Sequence, residues 1–207
     1  MIEIRQARKN DTGNIAELMY SSGPEIYDFV YKTTNKTALE FIQYEFNTGR
    51  GFCGFNNVTV AVKDGSVVAT GCFYDGKAYK KLLVGTLFNM VVFYGLRRVW
   101  KVLERSGYAG SVMEEPKKDE LYLSNFGVNP KLRGAGVGSL MLKNKIEHAK
   151  NTGYAIFSLD VAETNPRAEA LYSRLGMSVV KHKTFKGVRT GIDVPNARKM
   201  ELLLSSI

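Results

Sequence analysis

A glycine-rich turn between a strand and a helix is the feature that most constrains the fold of this chain. Gly134, Gly136 and Gly138 alternate with small residues, so the backbone there can curl tightly and approach a ligand closely. The helix that follows would point its free N–H groups and its positive dipole end at the turn. Arg133 adds a full positive charge at the same place. We therefore expect this turn to hold a phosphate or pyrophosphate group.

The strand before the turn has an irregular alternation of apolar residues. Leu121 and Leu123 lie two residues apart, but the apolar positions then shift to Phe126 and Val128. A one-residue slip within a strand is typical of a β-bulge, and Gly127 makes the distortion easier. A bulge would release backbone N–H groups that can bind a ligand. Irregular packing without a function is the alternative explanation of the same pattern.

Upstream of that strand, short strands and helical segments are both predicted. Strands are predicted over residues 2–7, 58–62 and 67–73. Asp64-Gly65 between the last two is a strong hairpin signal. Asp11 is expected to cap a first helix, and Pro24 to open a second helical segment over 25–46. A third helical stretch is predicted over 78–105.

Downstream, the pattern predicts a helix, a strand, a short helix and two final strands. The helix after the glycine turn should end near Asn151, with Gly153 as its stop. A buried strand follows over 154–161. Asn165 is then placed to cap a short helix that has Pro166 at its first position. The two final strands are predicted over 178–185 and 199–204.

This order of elements predicts a mixed α/β fold. The sheet should be mainly antiparallel, with one parallel pair joined through the glycine-turn helix, a bulged central strand and flanking helices. We expect one domain over residues 1–207, because no internal repeat or linker interrupts the sequence. Residues 78–116 are interpreted as a helical insertion before the bulged strand.

Composition narrows the class of partner. The formal charge is +9, but lysines and arginines are scattered, so a basic surface that attracts an anionic cofactor or an acidic partner is favoured over nucleic-acid binding. Cys53 and Cys72 lack disulfide or metal spacing, and there are only two histidines, so no metal site is expected.

No membrane contact is expected from the sequence either. Residues 82–103 are apolar in part, but Asn89, Arg97, Arg98 and Lys101 interrupt them, which favours a packed or amphipathic helix over a membrane span. The N-terminus has no signal-peptide pattern. We expect a cytoplasmic protein.

The glycine turn alone does not identify the ligand. It is not a Walker loop, because no Gly-Lys-Ser/Thr follows, and it does not fit the dinucleotide fingerprint GxGxxG. Two further motifs narrow the choice: Arg5-x-Ala7-x-x-x-Asp11 at the start of the chain, and the stretch from Asn165 through Ala168, Leu171 and Tyr172 to Gly176.

With these motifs, the sequence resembles the GNAT superfamily of acetyl-CoA-dependent N-acetyltransferases. Arg133-x-x-Gly136-x-Gly138 is similar to the family's pyrophosphate loop, and the Asn165 to Gly176 stretch is similar to its second acetyl-CoA motif. The core match spans about 121–180. The resemblance implies direct transfer of an acetyl group from acetyl-CoA to a primary amine, on a small molecule, a peptide or a protein. A homodimer is a candidate assembly.

The resemblance also assigns a cofactor-binding set. The glycine turn would bind the pyrophosphate of CoA, and the bulged strand would pair with the pantetheine arm through its backbone and polarise the thioester carbonyl. The implied residues are Phe126, Gly127, Val128, Arg133, Gly134, Ala135, Gly136, Val137, Gly138, Ser139 and Asn165.

Tyr172 and Asp160 are the two candidate catalytic residues. Tyr172 matches the family's general acid, and a phenol is protonated at neutral pH and can donate to the leaving sulfur. The alternative for Tyr172 is a core aromatic. Asp160 lies between apolar strand residues, where burial would raise its pKa and suit it to act as a base. The alternative is an Asp that faces solvent or pairs with a Lys or Arg.

Other assignments stay open from the sequence. Glu120, Glu163 or a water molecule are alternative bases, and Asp75 and Tyr122 rank lower. A domain of the same fold that senses acetyl-CoA without turnover is the alternative function. Aromatic residues of the insertion predict an apolar acceptor pocket, core packing or a dimer contact; they are Phe88, Phe93, Tyr94 and Trp100.

Overall fold

A seven-stranded sheet runs through the protein, in a computed structural model that describes residues 1–11, 14–187 and 191–204. The strands are β1 (Ile2–Gln6), β2 (Val58–Lys63), β3 (Ser66–Tyr74), β4 (Glu120–Val128), β5 (Ile156–Ala162), β6 (Ser178–Lys183) and β7 (Ala197–Leu203). Their order across the sheet is β1-β2-β3-β4-β5-β7-β6. Within the described residues, β4 and β5 form the parallel pair, and the other neighbours are antiparallel. The predicted sheet type is confirmed.

Seven α-helices flank the sheet in the described part of the chain. They are α1 (Ile15–Tyr20), α2 (Pro24–Tyr31), α3 (Ala38–Thr48), α4 (Gly76–Tyr94), α5 (Val99–Ala109), α6 (Val137–Asn151) and α7 (Pro166–Arg174). Helices α1 to α3 pack with β2, β3 and Tyr122 on one face, while α6 and α7 pack with Leu121, Phe157 and Leu159 on the other. A third apolar cluster joins α2, α3, α4 and α5.

Local sequence signals explain the elements that were predicted well. Asp64 and Gly65 both have positive φ, 51° and 75°, which is the backbone that a tight two-residue hairpin turn requires. Helix α6 ends before Gly153, as expected, and Tyr154 N–H donates to the Ala149 carbonyl across that end.

The first helix begins later than predicted. Helix α1 starts at Ile15 with Asn14 at its N-cap, so Asp11 is not the cap. The Asp11 carboxylate instead accepts two hydrogen bonds from the Arg5 guanidinium, at 2.6 and 2.8 Å. Oδ2 of Asp11 also accepts a hydrogen bond from the Arg8 N–H at 2.7 Å, so the carboxylate is bound by residues that precede it in the chain. The ion pair with Arg5 ties β1 to the chain that leads into α1.

Two predicted helical stretches are each divided in the structure. The segment over 25–46 consists of α2 and α3, because Thr37 and Glu40 form a capping box that starts a new helix. The stretch over 78–105 consists of α4 and α5, separated at Gly95, whose φ is +74°. Asp75 caps α4 by accepting a hydrogen bond from Ala78 N–H at 2.8 Å.

The predicted bulge lies in β4, next to the residues where this strand parts from β5. The register of β3 with β4 shifts between Thr70 and Cys72: one residue separates these two on β3, whereas two residues separate their partners Gly127 and Ser124 on β4. Asn125 takes up the extra residue with a φ of +55°. Beside it, the backbone of α1 packs so close to β4 that a side chain at Gly127 would overlap the carbonyl oxygen of Leu18.

We expect Gly127→Ala to lower the free energy of unfolding by about 1–3 kcal/mol, because an overpacked contact with a backbone atom has no flexible side chain to relieve it. The matched control is Gly107→Ala in α5, where an added Cβ meets nothing within 4 Å. That variant should be neutral or up to about 1 kcal/mol more stable. Equal unfolding midpoints in urea for both variants would contradict the close approach of α1 to β4.

Candidate functional site

The site is built around an opening between β4 and β5. Their parallel pairing begins at Glu120 with Ile156 and ends at Leu123 with Leu159. Beyond that point, β4 continues through the bulge to Val128 without a β5 partner in the register of the described residues. Polar backbone groups along this edge of β4 are therefore placed to bind a ligand in extended conformation.

The glycine turn closes the end of this opening. A short 3-10 turn over Pro130–Leu132 leads into it, and Gly134 and Gly136 then have φ values of 88° and 82°, a backbone that glycine adopts without strain. Gly136 occupies the N-cap of α6 and has no side chain to bond the first-turn N–H groups. These N–H groups and the helix dipole favour an anion there.

Charged side chains surround the turn. Arg133 is exposed, and its Nε donates to the Val128 carbonyl at 3.2 Å, which fixes the guanidinium next to the bulged strand. A Cβ added at Gly134 would lie 4.0 Å from Nη2 of Arg167 in α7. The sequence interpretation did not include Arg167. Its position directly after Pro166, at the start of the predicted helix, could have indicated a cation near the turn.

The start of α6 touches both the bulged strand and α7. A Cβ added at Gly138 would meet Phe126, Val128 and Leu171 at 3.4–3.6 Å. The structure thus brings together most of the predicted cofactor-binding set. Ala135 is exposed, Ser139 is half-buried, and the Val137 side chain points into the core, so it can contribute only its backbone.

Gly127 and Asn165 have local structural roles of their own. Gly127 faces α1, so its lack of a side chain serves helix packing. The Asn165 carboxamide oxygen accepts a hydrogen bond from Ala168 N–H at 3.1 Å and so caps α7, as predicted. Its amide nitrogen then remains as the group that can donate to a ligand.

Tyr172 lies on the α6–α7 face of the sheet. It is 7% exposed and packs in the same apolar cluster as Leu159. Burial raises the pKa of its phenol well above the ordinary value, and no charged neighbour contributes to the shift. The hydroxyl therefore keeps its proton at all physiological pH values, as a proton donor must before the reaction.

Asp160 lies on the opposite face, one residue beyond the end of the β4–β5 pairing. Its two oxygens are 2.7 and 2.8 Å from Nζ of Lys183, and Tyr122 donates a hydrogen bond to Oδ2 at 2.8 Å. Burial raises the pKa of Asp160, and the Lys183 charge opposes that rise. The sequence left open whether Asp160 pairs with a cation, and the structure shows that it does.

Lys183 is the partner that the sequence did not reveal. It is the one buried residue of β6, where Val179 and Val180 are exposed. Hydrophobic patterning alone would place the two valines in the core and Lys183 in solvent, which is the opposite of the observed burial. Only the approach of β6 to β7, and of β7 to β5, places the Lys183 ammonium beside Asp160.

The alternative bases lie in different surroundings. Glu120 is 1% exposed at the start of β4 and accepts hydrogen bonds from Lys199, at 2.9 Å, and from Ser158. Burial favours a higher pKa for Glu120, but its hydrogen bonds outweigh burial and lower the pKa. It lies five residues from the bulge, about 17 Å along the strand.

Glu163 also has a lowered pKa. A hydrogen bond with His182 is the main cause, and Arg198 adds to it. Asp75 and Tyr122, which ranked lower, serve as a helix cap and as the Asp160 donor. Of the candidate carboxylates, Asp160 therefore combines a raised pKa with a position at the opening.

Three buried hydroxyl groups that have no hydrogen-bond partner among the described residues lie on the Asp160 face near the bulge. They belong to Tyr27, Thr70 and Ser124. Close by, the Asn125 amide contacts the sulfur atoms of Cys53 and Cys72, at 3.4 and 3.6 Å. Both thiols are buried. Buried polar groups normally have partners, so these hydroxyls mark a polar region that a ligand or water would satisfy.

The described residues also bear on metal binding and on membrane spans. Among those residues, no group of three or more His, Cys, Asp or Glu side chains is placed to hold a metal ion. None of the described helices is long and apolar enough to cross a membrane.

Solved structures share this architecture. An N-acetyltransferase from Staphylococcus aureus Mu50 superposes with a TM-score of 0.70 at 19% identity, over 97% of this chain and 100% of that chain. A putative acetyltransferase, yncA from Salmonella typhimurium with its cofactor acetyl-CoA, gives a TM-score of 0.56 at 16% identity, over 99% and 94%. The ribosomal-protein-S18-alanine N-acetyltransferase from Escherichia coli gives 0.57 at 16% identity, over 100% and 96%.

At these identities, structural similarity shows the fold alone. The sequence provides the assignment: residues 17–177 match the model of the acetyltransferase (GNAT) family. That range contains β4 with its bulge, the glycine turn and α7 with Tyr172. Because the match extends over most of the chain, this protein belongs to the GNAT acetyltransferase family.

Proposed function

We propose that this protein transfers an acetyl group from acetyl-CoA to a primary amine at the opening between β4 and β5. The observation that supports this most strongly is the joining of three parts at one place: an unpaired strand edge, a glycine turn at a helix start, and a buried tyrosine. The amine belongs to a small molecule, a peptide or a protein.

The glycine turn is suited to the diphosphate of CoA. The N–H groups at the start of α6 point into the turn, and Arg133 supplies charge. Arg167 adds a second cation that the sequence interpretation did not include. The edge of β4 at Phe126 and Val128 would bind the pantetheine amides through its backbone, and Asn165 would donate from its side-chain nitrogen.

Acetyl-CoA would supply an activated acetyl thioester at this site. Tyr172 would hold a proton ready for the sulfur, because burial keeps the phenol neutral. Asp160 would accept the proton of the amine from the other face of the sheet. Its raised pKa favours that task, and the charge of Lys183 limits how far burial raises the pKa.

The same ion pair supports a second candidate function. The charge of Asp160 is compensated by Lys183, so the pair can have a structural role without taking part in proton transfer. A domain of this kind would bind acetyl-CoA as a signal without turnover. An assay of acetyl-CoA binding together with thiol release, against a panel of amines and peptides, separates the two functions.

Arg133→Gln should weaken acetyl-CoA binding about 10- to 100-fold, because a hydrogen bond to a charged group contributes about 1.5–3 kcal/mol. Lys131→Gln is the control, since Lys131 is exposed two residues earlier in the 3-10 turn. Isothermal titration measures both dissociation constants. Equal affinities for the two variants would exclude Arg133 from the phosphate site.

Tyr172→Phe should lower kcat about 100-fold or more while acetyl-CoA affinity stays within about twofold, because only proton donation is lost. The unfolding midpoint should not change, since packing of the ring is retained. Tyr44→Phe is the control for loss of a hydroxyl away from the opening. If Tyr172→Phe keeps full thiol release, Tyr172 is a core aromatic only.

The ion pair of Asp160 and Lys183 leads to a prediction about how kcat depends on pH. A base must be deprotonated, so the acid limb of kcat against pH should follow the pKa of Asp160. Lys183 lowers that pKa. Lys183→Met should therefore move the acid limb to higher pH, and Asp160→Asn should remove the limb together with most of kcat. Acid limbs at the same pH in wild type and Lys183→Met would assign the base elsewhere.

A further inference from the structure

Five large apolar side chains form an exposed row along α4 and α5, which we name the apolar ridge. They are Val84, Phe88, Val92, Leu96 and Trp100, exposed by 67%, 52%, 54%, 74% and 72%. Each follows the previous one by four residues. Residues four apart on a helix are surface neighbours, so Val84, Phe88 and Val92 form a continuous row on α4. Leu96 follows the break at Gly95, and Trp100 lies in the first turn of α5.

The apolar ridge is not part of the core. Helix α4 buries other residues against α3 and α5, among them Asn89, Met90 and Tyr94. The sequence interpretation grouped four aromatic residues of this segment, and the structure separates them. Phe93 and Tyr94 pack in the core, whereas Phe88 and Trp100 lie at the surface. Apolar residues on the solvent side of a helix mark an interaction surface when they are contiguous.

Positive charge is concentrated in the same segment. Residues 76–110 contain seven Lys or Arg and one Glu, a net +6 of the formal +9 of the whole chain. The other 172 residues carry 22 Lys or Arg and 19 Asp or Glu, a net of only +3. The charge that looked scattered in the sequence is therefore strongly biased toward the two helices of the ridge.

The basic side chains border the apolar ridge at both ends. Six of them are exposed and form no salt bridge with other described residues: Lys77, Lys80, Lys81, Arg97, Arg98 and Lys101. Arg50 stacks over the Phe88 ring at 5.4 Å. Exposed cations at either end of an apolar row are complementary to a partner that is both anionic and apolar.

We propose that the apolar ridge docks the protein on the surface of an anionic lipid bilayer. The part of the row on α4, from Val84 to Val92, is about 12 Å long, and it can enter the boundary between headgroups and acyl chains. Flanking Lys and Arg residues would meet lipid phosphates, and Trp100 would sit at headgroup depth, where tryptophan is favoured. The helix lies along the surface and does not span the bilayer.

Other occupants fit the ridge less well. A second copy would bring two +6 surfaces together across a symmetric interface, and like charges would oppose that contact. A nucleic acid would match the cations but would leave Val84, Val92 and Leu96 against a polar backbone. A helix of an acidic protein would need a groove for its own apolar side chains, whereas the ridge presents five exposed side chains.

Trp100 provides an internal probe, because it is the only tryptophan in the chain. Adding vesicles with 30 mol%, about a third, of phosphatidylglycerol in phosphatidylcholine should shift Trp100 emission to shorter wavelength, and brominated lipids should quench it. Pure phosphatidylcholine vesicles should give a much smaller shift. About 0.5 M NaCl should release most of the bound protein, since it screens the cations.

Two variants and two matched controls test the ridge by co-sedimentation with the same vesicles. Phe88→Ser with Leu96→Ser removes apolar area and keeps Trp100; Leu203→Ser is its control, 75% exposed but outside the ridge. Arg97→Gln, Arg98→Gln and Lys101→Gln together remove charge; a triple variant at the exposed Lys63, Lys143 and Lys150 is the control. Each ridge variant should bind at least about tenfold more weakly than its control.

Three results would overturn the proposal. The first is no binding of wild type to the anionic vesicles. The second is equal binding by ridge variants and their controls. The third is a wild-type dimer in sedimentation equilibrium that the Phe88→Ser, Leu96→Ser variant converts to a monomer, which would assign the ridge to a second copy. Thiol release in solution is measured in parallel, so failure of docking is distinct from failure of acetyl transfer.

Discussion

The end of the parallel pairing between β4 and β5 is the constraint on which the site depends. Up to Leu123 and Leu159, the two strands satisfy each other's backbone groups. The extra residue at Asn125, in the left-handed region, then bends β4 at the bulge. Polar backbone beyond this point has lost its β5 partner, so it needs a ligand or water. The close contact of α1 at Gly127 holds the distorted strand in place.

The two faces of the sheet at this opening have different chemistry. On the α6–α7 side, Leu123, Leu159 and Tyr172 form an apolar wall that keeps the phenol neutral. On the other side, Asp160 and Lys183 form a buried ion pair. Burying two charges costs desolvation energy that their attraction only partly returns. Such a pair sets protonation and orientation at the opening more than it adds stability.

Helices α4 and α5 change the surface rather than the sheet. Helices α4 and α5 bury one side against α2 and α3, where Tyr94 donates a hydrogen bond to the Tyr31 carbonyl at 2.7 Å. Their other side keeps apolar and basic residues in contact with solvent. The sheet, the glycine turn and α7 explain acetyl transfer without that outer surface, so a separate contact is the simplest physical reason for it.

The sequence by itself determined the features that depend on local chemistry. The hairpin at Asp64-Gly65, the bulge in β4, the glycine turn and the Asn165 cap each follow from residues within a few positions of one another. Two local predictions were wrong because another interaction involves the same residues. Asp11 binds Arg5 instead of capping a helix, and the capping box of Thr37 and Glu40 divides a helical pattern that looked continuous.

Only the tertiary structure decided how distant residues meet. Lys183 is buried although its strand is otherwise exposed, because β7 lies between β5 and β6 and orients that strand. The pairing of Asp160, the position of Arg167 beside Gly134, and the exposure of Phe88 and Trp100 have the same origin. Each depends on which elements pack together, and sequence periodicity describes only one element at a time.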